Sequence, residues 1–152
     1  MRTCSVMASH PYVRGRGSTA RGATNPVIVF APDEVVARWI SEELAGQPLS
    51  IQRAPYVKLL VAELVDLHPP RPQIAIVDFD ALTAAEVFHL HAIREHGWFG
   101  TLIALGRASE ELQASLNIER VLRRPFGTAA LRKAVRDVGL DRPTARVRRL
   151  DR

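Results

Sequence analysis

Asp78 and Asp80 follow directly on a wholly apolar run, Ile74-Ala75-Ile76-Val77, and this placement sets them apart from the other charged residues. A carboxylate at the end of a buried strand has two common uses. Its oxygens cap backbone N–H groups of the following turn, or it lies in a polar pocket at the carboxyl edge of a sheet. Both remain open for Asp78, whereas Asp80 reads as turn chemistry. Asp33 and Glu34 follow a second apolar run, Val27 to Ala31, and Arg124 opens the turn Arg124-Pro125-Phe126-Gly127.

The other reactive side chains are less informative. His89 and His91 stand at i and i+2, which point apart on a helix, so with His96 they mark a solvated face and no metal site. Cys4 is the one cysteine, which excludes an internal disulfide. Gly15-Arg16-Gly17 and Gly22 lack the spacing of a phosphate loop, and no strand precedes them. No Ser/His/Asp or Cys/His arrangement is recognisable, nor is a general acid–base pair.

The elements that position Asp78 are read from hydrophobic period. Val27 to Ala31, Ile74 to Val77 and Thr101 to Leu105 are continuous apolar runs, the pattern of strands buried on both faces. Leu49 to Arg53 and Ile118 to Leu122 predict two more strands. Between them, Pro32 suits a first helical turn, and Val35, Val36, Trp39, Ile40 and Leu44 give a buried helical stripe that ends at Gly46. Val57, Leu60, Val61 and Leu64 predict a second helix, stopped by His68-Pro69-Pro70. Thr83 and Glu86 form a capping box opening a third through His96, and Ser109 caps a fourth through Leu116. Leu131, Val135 and Val138 mark the last.

Five βα units predict an α/β domain over residues 26–140: a doubly wound five-stranded parallel sheet of flavodoxin-like order 2-1-3-4-5, with helices on both faces. Functional groups of such sheets gather at the carboxyl ends of the strands, here Ala31, Pro32, Asp33, Asp78, Asp80, Gly106 and Arg124.

The chain's formal charge of +5 is unevenly spread. Residues 1–25 contribute +4 and residues 141–152 contribute +3, leaving −2 on residues 26–140. The first segment mixes Gly, Ser, Thr, Pro and Arg without apolar period and reads as a flexible basic tail, as does the last. It has no apolar core of a secretory signal, and no stretch anywhere is long and apolar enough for a membrane span. No aromatic residues interleave with the arginine clusters, which argues against base stacking and ranks nucleic-acid association last.

The strand-terminal aspartate in PQIAIVDFDAL and the segment VLRRPFGTAALRKAV, in this order and spacing, resemble the CheY-like receiver domains of response regulators, over residues 26–140. The resemblance implies a cytoplasmic bacterial signalling module that meets a histidine kinase or a downstream signalling protein, and it implies no enzyme. In that family the aspartate matched by Asp78 accepts a phosphoryl group. The acidic pair that holds Mg²⁺ matches Ala31 and Pro32, the Thr/Ser position matches Gly106, the aromatic matches Val121, and the lysine matches Arg124. Only Asp78 is unchanged and only Arg124 keeps its charge, so the pattern is that of a degenerate, or pseudo-, receiver.

Without the acidic pair, no Mg²⁺ or other cofactor is expected, and Arg124 is free to supply positive charge and pair with Asp78 directly. The family's helix-four, strand-five, helix-five face implies a partner or homodimer surface at Leu112, Leu116, Arg120, Val121, Arg132 and Arg136. Two alternatives stand beside this reading. In one, Asp78 is a true phospho-acceptor with atypical metal chemistry, and a bulge after the first strand could bring Asp33 and Glu34 into the pocket, making Asp33 and Asp78 metal ligands. The second is nucleic-acid association through the basic tails.

Overall fold

The computed structural model describes residues 25–66 and 71–140. The expected tails, from residue 141 onward and up to residue 24, lie outside them, as does the His68-Pro69-Pro70 stop.

Strands β1 (Asn25–Phe30), β2 (Leu49–Arg53), β3 (Ile74–Asp78), β4 (Thr101–Leu105) and β5 (Ile118–Leu122) alternate with helices α1 (Glu34–Glu43), α2 (Val57–Val65), α3 (Ala84–Glu95), α4 (Glu110–Ser115) and α5 (Ala130–Val135). A 3₁₀ turn, Phe79–Ala81, follows β3, and a π-type turn, Arg136–Leu140, extends α5. The sheet is wholly parallel, in the expected order β2-β1-β3-β4-β5. Its register pairs Val29 with Ile76, Val77 with Ala104 and Leu105 with Leu122, so the carboxyl ends of the central strands come together.

Successive strand residues point to opposite faces, so the continuous apolar runs feed two cores. Ile28, Phe30, Ala75, Val77, Leu102 and Ala104 pack under α2, α3 and α4 with Leu60, Leu64, Leu90, Ile93 and Leu116. Val27, Val29, Ile74, Ile76, Ile103 and Leu105 pack under α1 and α5 with Val36, Ile40, Leu44, Leu131 and Val135. Each fully buried Leu or Ile contributes roughly 1.5–3 kcal/mol of transfer free energy, and this burial fixes the strands that carry the polar edge. Edge strand β2, exposed along LSIQR except at Leu49, contributes least.

Two local readings are corrected. Asp33, rather than Pro32, sets the start of α1: its Oδ1 accepts the Val35 N–H at 2.8 Å, which leaves Pro32 outside the helix. With that start, Val36, Ala37, Ile40 and Leu44 form the buried stripe. Val35, about 100° round the helix from Val36, is 74% exposed, contrary to its expected place in the stripe. The capping box of α3 is present as read, Thr83 and Glu86 exchanging side-chain-to-backbone bonds.

Candidate functional site: a carboxylate–arginine relay

Asp78 ends β3 at 1% exposure, because the residues before it are committed to both cores and carry it inward. Its Oδ1 accepts the Asp80 N–H at 3.2 Å, and its Oδ2 accepts from Arg124 Nη2 at 3.3 Å. Asp78 is therefore both things the sequence left open: a cap on the 3₁₀ turn and a buried pocket carboxylate. Burial pushes its carboxyl above the ordinary aspartate range, and the Arg124 guanidinium pulls back against that shift.

Asp80 takes a larger part than turn chemistry. Its Oδ2 accepts from Arg124 Nε at 2.9 Å, and its Oδ1 accepts the Arg107 N–H at 3.0 Å. Its carboxylate fills the space beside Gly106, where φ is +89° and a Cβ would lie within 2.6 Å of all three carboxylate atoms. Glycine at 106 therefore does more than lack a hydroxyl: it leaves the room that Asp80 occupies.

Arg124 bridges the two carboxylates from the loop after β5, as expected for Asp78 and unanticipated for Asp80. The guanidinium carbon lies 5.1 Å from the Phe126 ring centroid, and Phe126 in turn stacks on Trp39 at 4.4 Å with an interplanar angle of 14°. A cation over an aromatic face is held by the ring quadrupole. Trp39 of α1 thus supports Phe126, and Phe126 supports the arginine. Sequence had placed Trp39 only in a buried stripe.

The remaining expected pocket residues are turned to other tasks. Ala31 is fully buried and its carbonyl accepts from Arg53 Nη2 at 3.0 Å. Pro32 is exposed. Asp33 caps α1, and Glu34 pairs with Arg53 at 3.0 Å, so this acidic pair serves the helix terminus and β2. The bulged arrangement that would send Asp33 toward Asp78 is not adopted. Among the described residues no three His, Cys, Asp or Glu side chains come together as a metal site. The residues present do not fit the divalent cation that the resemblance implies. Such an ion needs several oxygen ligands, whereas Asp78 is bonded to Arg124 and no side chain of Ala31 or Pro32 can ligate.

The expected interaction face is only partly a surface. Leu116 is 0% exposed and belongs to the core, because it caps α4 over β4 and β5. Arg132 leaves the face as well: its Nε donates to the Glu43 carbonyl at 3.0 Å, tying α5 to the end of α1. Leu112 and Val121 are half-buried against the first core. Arg120, half-exposed, faces Asp137 at 3.8 Å, and Arg136 is exposed.

Arg94 is a structural arginine that sequence reasoning passed over. It donates to the carbonyls of Leu116, Trp98, Gly100 and Asn117 at 2.8–3.1 Å and lies over the Trp98 ring at 4.9 Å. Burial lowers its pKa below the ordinary arginine value. Nothing in the pattern of α3 marks it, since its acceptors come from the α3–β4 and α4–β5 connections.

The strand order, the helix placement and the strand-terminal aspartate together resemble solved receiver structures. The Vibrio cholerae chemotaxis protein CheY4 matches with a TM-score of 0.63 at 17% identity, over 76% of this chain and 99% of that one. The chain has the CheY-like receiver fold. A pilus assembly-related protein of Burkholderia pseudomallei matches this receiver fold with a TM-score of 0.63 at 16% identity, covering 80% of this chain and 94% of that one. The receiver domain of Saccharomyces cerevisiae Ssk1, solved with the histidine phosphotransfer protein Ypd1, gives 0.61 at 12% identity, with 78% and 90% covered. No family model matches the sequence, and no curated protein matches it. At these identities the likeness is one of fold, and the receiver fold here surrounds a pocket of its own composition.

Proposed function

We propose that this chain is an atypical, degenerate receiver module of signal transduction that works by protein contacts, without Mg²⁺-dependent phosphorylation of Asp78 and without enzymatic activity. One observation carries the reading: Arg124 pairs with both Asp78 and Asp80 inside the pocket. Phosphoryl transfer to a carboxylate needs positive charge that can follow the incoming oxygens. Here that charge is a guanidinium already bonded to the acceptor, and the carboxylate of Asp80 stands in the space beside Gly106.

The partner in this reading is another cytoplasmic signalling protein. The Ssk1 receiver domain is seen with a phosphotransfer protein, and a histidine kinase, a phosphotransfer protein or a downstream component is the corresponding class here. Arg120 and Arg136, with Leu112 and Val121 half-buried nearby, favour an acidic partner surface, where charge sets encounter rate and specificity. A second copy of the chain is the other occupant of that face.

Intact-mass spectrometry after acetyl phosphate and Mg²⁺ treatment tests the proposal. The expected spectrum is unchanged in wild type and in Asp78→Asn alike. Gain of one phosphoryl mass in wild type, lost in Asp78→Asn, would make the chain a genuine phospho-acceptor instead.

A further inference from the structure

A cleft of about 690 Å³ opens at the carboxyl edge of β4 and β5, lined by Asp80, Gly106, Arg107, Ala108, Ser109, Arg123 and Arg124. Its size falls within the roughly 300–1,000 Å³ of small-molecule sites. The last β4–β5 rung builds it. Leu105 pairs with Leu122, and the Gly106 N–H donates to the Leu122 carbonyl at 2.8 Å, so Arg107 and Arg123 leave the sheet as neighbours.

Three arginines and one aspartate thus line the cleft, and the Asp80 carboxylate is already bonded to Arg124. Arg107 and Arg123 are exposed, and among the described residues neither side chain has an acidic partner. Like charges placed side by side at the mouth of a cleft favour an anion between them, since low-dielectric walls focus their field. Ser109 adds a donor: its Oγ accepts the Leu112 N–H at 3.2 Å, which leaves the hydroxyl proton free.

We propose that this cleft binds a phosphate-bearing small molecule non-covalently, with Arg107 and Arg123 as the principal ligands and Ser109 and Arg124 as secondary ones. Two uncommitted guanidinium groups match the charge of a dianionic phosphate, and their planar forks suit its oxygens in bidentate pairs. No aromatic side chain lines the cleft, so recognition rests on the phosphate end and not on a stacked base. Inorganic pyrophosphate, which carries two such groups, is the simplest ligand of this class. Bound there, it shares Arg124 with Asp80 and so couples occupancy to the Asp78–Arg124–Asp80 relay. The site requires no phosphorylation of Asp78, and the proposal stands whether or not that residue is modified.

The test is a titration of the full chain with inorganic pyrophosphate at fixed ionic strength, in EDTA, followed by amide ¹⁵N–¹H NMR. Saturable shifts at Gly106, Arg107, Ser109 and Arg123 are expected, with binding weakened about tenfold or more in Arg107→Ala/Arg123→Ala. Both positions are exposed, and the single variant Arg107→Gln, with an intermediate loss, covers the case in which the double variant fails to fold. The absence of saturable shifts, shifts restricted to residues 1–24 and 141–152, or unaltered affinity in the folded variants would overturn the proposal.

Discussion

The carboxylate of Asp80 occupies the position that any side chain at residue 106 would need: a Cβ built on Gly106 lies within 2.6 Å of its Cγ, Oδ1 and Oδ2. The aspartate cannot retreat freely, because Arg124 Nε and the Arg107 N–H hold its two oxygens. The absence of a side chain at one strand end and the presence of a carboxylate at another are therefore one feature.

Gly106→Ala should accordingly destabilise the fold by about 2–4 kcal/mol, combining the cost of a non-glycine residue at positive φ with overpacking against Asp80. Adding Asp80→Ala removes the overpacking and leaves the backbone cost. Denaturant melts of the two single variants and the double variant measure this. A positive coupling of about 1 kcal/mol or more is expected between the sites, and strict additivity would refute the steric account.

Asp78→Asn should gain stability relative to the wild type as pH rises through the raised folded-state pKa of Asp78. The sign follows from linkage. Burial raises the folded-state pKa of Asp78, so the folded protein holds the proton more tightly than the unfolded chain. Stability from this group is present below the unfolded value of 3.8 and is lost as pH rises through the raised folded value. The amide cannot ionise, so its advantage should appear above that window and fade at more acidic pH. Thermal melts of both proteins across pH check it, and a gain independent of pH would contradict it.

Arg94→Lys should cost about 2–4 kcal/mol despite keeping the charge, because one ammonium cannot serve four carbonyls arranged around a planar guanidinium. The loosened segment would be that around Trp98 and Asn117, whose carbonyls lose their donor. Hydrogen exchange should show faster amides in the α3–β4 and α4–β5 connections, with the β1 and β3 amides changed less. Uniform loosening across the sheet would point to a global effect instead.

The apolar runs Val27–Ala31, Ile74–Val77 and Thr101–Leu105 were enough to specify strands buried on both faces, and the intervening helical periods specified crossovers. From these alone came the layered fold, its strand order and the place of Asp78 at a carboxyl edge. The capping groups Thr83 and Ser109 were equally legible, because a cap is a local arrangement of neighbours in sequence. Tertiary structure alone decided what the pocket contains. Asp80 meets Gly106 and Arg107 because β3 lies beside β4, Arg124 reaches both aspartates because β5 lies beside β4, and Trp39 backs Phe126 because α1 and α5 share one face of the sheet. Burial also removed Leu116 from the surface and turned Arg132 toward α1. Hydrophobic period records which side of an element is covered, while the identity of the covering group depends on register and packing between distant segments, which no local pattern encodes.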